Sequence, residues 1–173
     1  ITPEAAENAL RVLLAISGST NAVVHLAAIF GRLGLTLDMD LLNRLSDETP
    51  VLVDLKPTGA HYMEDLHAAG GAPAVLRALK HQLNLDVLTV TGKTLGEVLD
   101  ESDPWVDPKV VRPPADPISP QGGLVALSGT LAPQGAILKR AAATPALFER
   151  EGRAVVFTSL QDLSDRIDDP DLD

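Results

Sequence analysis

Apolar positions recur at helical spacing through most of the first half of the chain. Leu10, Leu13 and Leu14 lead to Ile16 on one such stripe, and Thr2-Pro3-Glu4 ahead of them has the chemistry of a helix start. Thr caps, Pro takes the first helical position, and Glu complements the positive end. Ser17–Asn21 breaks the period. A second helix is predicted from Val23, Val24, Leu26, Ala27 and Phe30, with Gly34 as its stop. A third, short helix is predicted over 38–47, before Pro50. Val51–Val53 reads as a short buried strand, ended by the turn Lys56-Pro57-Thr58-Gly59. Residues 62–69 read as helix closed by Gly70-Gly71, and Pro73 opens another helix to about Leu83. Val87–Val90 reads as a strand, and Thr94-Leu95-Gly96-Glu97 has capping-box spacing ahead of a short helix.

The pattern then changes. Pro104, Pro108, Pro113, Pro114, Pro117 and Pro120 each lack an amide donor, so no regular element is expected between them. The stretch reads as an interdomain connection running extended over a surface. Beyond it come strand-like runs at Leu124–Leu127, Ala136–Lys139 and Ala154–Phe157, with glycine turns at Gly129–Gly135 and a short helix over 160–167. The expected fold class is therefore α/β. Residues 1–103 form a helix-rich α/β segment, 104–120 a Pro-rich connection, and 121–173 the start of a strand-rich domain.

Composition narrows the function classes. Of the 173 residues 45% are hydrophobic but only 3% aromatic, so the core must be built from Ala, Leu, Val and Ile. The net charge of −10 repels phosphate backbones and anionic bilayers, which argues against nucleic-acid binding and membrane docking. With no cysteine there is no disulfide, no thiolate metal site and no Cys nucleophile within the chain. No run reaches the ~18 apolar residues of a membrane span, and no signal-peptide pattern opens the chain; a cytoplasmic origin is the default expectation. The first residue is not Met and the last six are Asp168-Asp169-Pro170-Asp171-Leu172-Asp173, so both ends read as cuts through a longer protein.

Several motifs invite chemistry. Ser17-Gly18-Ser19-Thr20-Asn21 sits between two helices, where free amides and the helix dipole make an anion site; the plainer account is that Ser19 or Asn21 only caps the helix. His61, Glu64 and His67 are spaced three and three, whereas a two-histidine metal site wants i, i+4, so they read as ordinary polar residues. Glu64 and Asp65 are adjacent and point apart, so they do not form an acid/base pair. Gly92-Lys93-Thr94 resembles the end of a phosphate-binding loop, but Val87 stands where that loop needs its first Gly. His25, within an apolar helix, reads as a hydrogen-bonded core or interface residue. The acidic tail lacks the Gly and final Glu of a calcium loop.

Six segments, in order, resemble the dihydroxy-acid dehydratase family, which also includes phosphogluconate and aldonic-acid dehydratases. They are Ser17–Leu26, Pro50–Pro57, Tyr62–Gly71, Thr89–Leu95, Gly122-Gly123-Leu124 and Leu131–Gly135. The family's usual Gly-Gly-Ser-Thr-Asn has Ser17 in place of its first glycine. The resemblance implies a longer parent hydro-lyase that converts a 2,3-dihydroxy acid, either a sugar acid or a branched-chain acid, into a 2-oxo acid. It implies an α/β N-terminal domain, a β-barrel-like C-terminal domain and a homo-oligomeric assembly. It also implies an iron–sulfur cluster and a magnesium ion in the parent, with the cluster cysteines and the magnesium-binding Asp and Lys before this segment. A metal-binding Glu and the catalytic Ser follow it, so no catalytic or metal-ligating residue is expected here. For these residues it leaves a supporting role, with Ser19, Thr20 and Asn21 lining the pocket of a small anionic substrate and Met63, Glu64 and Asp65 next. The second half is somewhat more similar to sugar-acid dehydratases. The competing classes are a non-catalytic carboxylate-binding module and a structural or dimerisation fragment.

Overall fold

The computed structural model describes residues 1–172, with helices α1 (Pro3–Ala15), α2 (Thr20–Arg32), α3 (Met39–Glu48), α4 (Met63–Ala68), α5 (Gly71–Ala78), α6 (Leu95–Glu101) and α7 (Leu160–Arg166). One two-stranded antiparallel sheet joins β1 (Val125–Gly129) to β2 (Ala132–Leu138). In register, Val125 faces Leu138 and Leu127 faces Ala136. The architecture is thus mixed helix and small sheet.

The helix ends follow local chemistry. Thr2, Ser19 and Thr94 each accept a backbone amide from the first turn of the helix they precede. At α6 the box is complete, because Glu97 reaches back to the Thr94 amide at 2.7 Å. Pro73 lies inside the first turn of α5, which starts two residues earlier, and the helix gives way after Ala78 to a 3₁₀ turn at Lys80–Gln82.

α1 is the hub of the core. Leu10, Leu13 and Leu14 pack with Val23 of α2, Leu42 and Leu45 of α3, and Leu124 and Ala126 of the hairpin. Ala15 at its end joins a second cluster with Leu52, Val53, Val75, Leu79, Leu99 and Val111. Buried Arg11 ties α1 to the end of α3 through Glu48 at 2.7 Å and Thr49 Oγ1 at 3.1 Å.

The hairpin is fastened to α3 by side chains aimed at backbone. Asn43 Nδ2 donates to the Ala126 carbonyl at 3.0 Å, while the Ala126 amide donates to Asn43 Oδ1 at 2.8 Å. Ser46 Oγ donates to the Leu124 carbonyl at 2.6 Å. Gly122 and Gly123 bring the chain in so closely that their amides donate to the carbonyls of Ser46 and Leu14, at 2.7 and 3.1 Å. A Cβ on Gly123 would lie 2.5 Å from Ser17 Oγ, so only glycine fits that approach.

Three strand expectations are corrected. Val51–Val53 forms single antiparallel bridges, Val51 to Ser119 and Val53 to Val111, rather than a strand. Its partner is the Pro-rich stretch, which lacks the donors for a continuous ladder. Val87–Val90 is reduced to one bridge between Leu88 and Thr94, because the turn through Gly92 at φ +81° folds the chain straight back. Ala154–Phe157 has no strand, since no partner edge is present for it among the described residues. Residues 104–120 contain no regular element but do not simply run over a surface. Val110 and Val111 are buried in the second cluster, and the Trp105 indole donates to the Ala68 carbonyl at 3.1 Å.

The chain divides into two compact units, Ile1–Ala142 and one that begins at Ala143. The second holds a 3₁₀ turn at Pro145–Leu147 and α7, which is capped by Ser159. None of residues 143–172 is buried.

Candidate functional site

The turn between α1 and α2 is built from the end of one helix and the start of the next. Ile16 closes α1, Ser17 follows at φ +48°, and two amides return to the helix: Ser17 to the Leu14 carbonyl and Gly18 to the Leu13 carbonyl at 2.9 Å. This is the paired closure usually made with glycine in the left-handed position. Here Ser17 takes that position, and its hydroxyl is buried with no hydrogen-bond partner among the described residues.

Ser19 then caps α2, its hydroxyl accepting the Asn21 amide at 3.1 Å. Its role as a cap is thus met in the structure. The Ser19 carbonyl takes the Ala22 amide at 3.0 Å, which leaves the Thr20 N–H as the amide that neither group takes. Thr20 is half-buried, and Ser19 and Asn21 are exposed. The start of a 13-residue helix concentrates partial positive charge there, and no Asp or Glu lies in its first turn. His25, expected to be a core or interface residue, is exposed on α2 and so not in the core, because the inward face of that helix falls on Val23 and Phe30.

Met63, Glu64 and Asp65 form the first turn of α4. Met63 and Glu64 are exposed, while Asp65 Oδ2 accepts the Tyr62 amide at 2.8 Å and so serves as the helix's own cap. No hydrogen bond or ion pair joins this group to Ser19, Thr20 or Asn21 among the described residues.

The loop before α4 assembles a group that sequence spacing signals only in part, since His61 and Asp65 stand four residues apart. Asp54 Oδ1 accepts the Ala60 amide at 3.1 Å, closing the loop on itself. A Cβ on Gly59 would fall 2.0 Å from that same oxygen, which is why glycine stands there. The closure sets His61 between two carboxylates, with Nε2 3.8 Å from Asp54 and Nδ1 3.8 Å from Asp65. These are ion-pair distances once the imidazole is protonated. Lys56 Nζ donates to the Tyr62 hydroxyl at 2.6 Å and lies 4.0 Å from the ring centre. His67 is exposed on α4. Among the described residues no three His, Asp or Glu side chains are arranged to hold a metal ion, and the chain has no cysteine for an iron–sulfur cluster. The residues present therefore do not fit either group. Among the described residues no helix is long and apolar enough to cross a membrane.

An α/β scaffold with an exposed, polar helix start is the form in which many enzymes hold a small anion. Comparison with known proteins makes this specific. The profile of the dihydroxy-acid/6-phosphogluconate dehydratase N-terminal family matches residues 1–98, and that of the C-terminal family matches 109–173. The chain belongs to the dihydroxy-acid/6-phosphogluconate dehydratase family. It is 48% identical to a dihydroxy-acid dehydratase of Nitratidesulfovibrio vulgaris, over 92% of this chain and 29% of that protein. It is 47% identical to an L-arabonate dehydratase of Azospirillum brasilense, over 100% of this chain and 30% of that protein. An L-arabinonate dehydratase of Rhizobium leguminosarum bv. trifolii is 43% identical, with 100% and 30% covered. The chain thus spans about 30% of the length of the curated relatives it matches.

Proposed function

We propose that these residues are part of a cytoplasmic hydro-lyase that removes water from a 2,3-dihydroxy acid to leave a 2-oxo acid. The observation that carries this is the order and extent of the two family matches, N-terminal then C-terminal, across nearly the whole chain. The names of the relatives support the substrate class, since both dihydroxy-acid and L-arabonate dehydratases occur among them at similar identity.

In this reading residues 1–103 belong to the N-terminal α/β domain, 104–120 are the connection, and 121–173 begin a β-barrel-like C-terminal domain. The parent is a homo-oligomer. It binds an iron–sulfur cluster and magnesium through residues outside this chain. What the chain supplies is a receptor for the acid. The α2 start, with the Thr20 amide and the side chains of Ser19, Thr20 and Asn21, receives the substrate carboxylate or a hydroxyl, where the helix dipole favours negative charge. Met63, Glu64 and Asp65 are the next residues of that pocket, an apolar thioether beside two carboxylates.

The test is turnover. The 173-residue chain, incubated with iron, sulfide and magnesium, should form no 2-oxo acid from arabonate, gluconate or a branched-chain dihydroxy acid. The full-length polypeptide that contains it should convert at least one of them. Turnover by the short chain alone, or none by the full-length polypeptide at full cluster occupancy, would overturn the reading.

A further inference from the structure

From Val12 to Gly31 the chain has no Asp, Glu, Lys or Arg, although 22% of its residues are charged. The first part of that run is explained by burial in α1. The second part, α2, is not. Between Ala22 and Gly31 its one polar residue is His25, yet only Val23 and Phe30 are buried. Val24 is 68% exposed and Ile29 44%, and Ala27, Ala28 and Gly31 are exposed as well.

A helix at a protein surface carries a polar face, whereas a helix apolar all round belongs in a core. α2 has the composition of the second kind and the surroundings of the first. Alongside it runs an open groove of about 530 Å³, walled by Val24, Ala27, Gly31, Leu35, Met39 and Ile137. Of all the residues that line the groove only Thr36 is polar, and none is charged. Gly31 has nothing within 4 Å of where a Cβ would stand, so another backbone can come in close at that point.

We infer that this groove is the seat of another segment of the same polypeptide, the part of the N-terminal dehydratase module that lies outside these residues. The length of chain argues for an intramolecular occupant, because more than two thirds of each relative lies outside the matched part. The absence of any charged side chain along the groove fits a permanent internal contact better than a surface two copies would share, since such interfaces keep a polar rim. α2 is then an interior helix of the whole enzyme, and His25 is at the packing boundary. The inference rests on the reading of these residues as part of a longer dehydratase.

The experiment is carbene footprinting of the full-length polypeptide, resolved by peptide, in native buffer and in strong denaturant. The peptide carrying Val24–Gly31 should be labelled at least tenfold less in the native state, as the peptide carrying Leu10–Leu14 is. Ala27→Glu should lower the full-length melting temperature by several degrees. Labelling of the α2 peptide within twofold of its denatured value, with Ala27→Glu melting like wild type, would overturn the inference. So would protection that vanishes when the protein is diluted to monomer, which would assign the groove to a second copy. Turnover on the same preparation separates this from the functional reading, because an active enzyme with an exposed α2 fails the inference alone.

Discussion

Ser17 carries two unfavourable features at once. Its backbone lies at φ +48°, and its hydroxyl is buried without a partner among the described residues. The left-handed conformation costs a non-glycine residue about 1–2 kcal/mol, and an unpaired buried hydroxyl costs about 1–3 kcal/mol. Ser17→Gly removes both. Against this, glycine frees the unfolded chain by about 0.4–1 kcal/mol, and the burial of one carbon worth about 0.8 kcal/mol is lost. The expected balance is a gain of about 0.2–3.8 kcal/mol, or about 2 kcal/mol at the midpoints, where Tm rises by about 4–8 °C for a chain of this size. Ser17→Ala discards the hydroxyl but keeps the strained backbone. That strain is about offset by the carbon it keeps buried and the chain freedom glycine would add, so this variant should melt above wild type and close to Ser17→Gly. Urea and thermal unfolding of the three proteins, followed by circular dichroism, give the order directly. If Ser17→Gly melts below wild type, the hydroxyl has a bonding role and the reasoning fails.

Three further outcomes are expected. In the full-length enzyme, Thr20→Val should lower kcat/KM by about 5- to 150-fold, the equivalent of about 1–3 kcal/mol, while Tm stays within a degree because Ser19 and not Thr20 holds the cap; unchanged kinetics would remove this turn from the substrate pocket. Asn43→Ala should cost about 1–3 kcal/mol, because it unpairs both the amide and the carbonyl of Ala126, and hydrogen exchange at the hairpin should rise first. Glu97 is held below the ordinary carboxylate range by the Thr94 amide, then by the Thr94 hydroxyl. A lowered acid contributes stability above its unfolded pKa of about 4.3, and that contribution disappears as pH falls through the lowered value. The Tm gap between wild type and Glu97→Gln should therefore be open at pH 7 and close below about pH 4; a gap that widens in acid would refute the cap assignment.

What could be read from sequence was what local chemistry decides. Thr2, Ser19 and Thr94 cap where their spacing says, and Gly34 ends α2 at φ +73°. A strand, by contrast, exists only with a partner. Val51–Val53 and Val87–Val90 have the composition of strands, but whether a ladder forms depended on segments far along the chain or on a turn that leaves no length to pair. Val110 and Val111 lie among prolines, where the pattern signals a linker, and only packing reveals that they fill the core. The site divides the same way. The helix-start character of Ser19–Asn21 is local and legible, as is the four-residue spacing of His61 and Asp65, whereas the approach of Asp54 to His61 arises from a loop closure that no spacing encodes.

The fastening of the hairpin to α3 has a consequence for engineering by recombination. A designer splicing two relatives of this family would place the crossover in the gap between the matched regions, at 99–108, where the prolines look permissive. Yet Asn43, Ser46 and Leu14 on one side of that seam hold Ala126, Leu124 and Gly123 on the other. Two parents that differ at those positions would be joined covalently and mismatched in contact. Chimeras that inherit residues 39–48 and 122–138 from the same parent should be recovered folded far more often than those that split them, whichever parent supplies the prolines between.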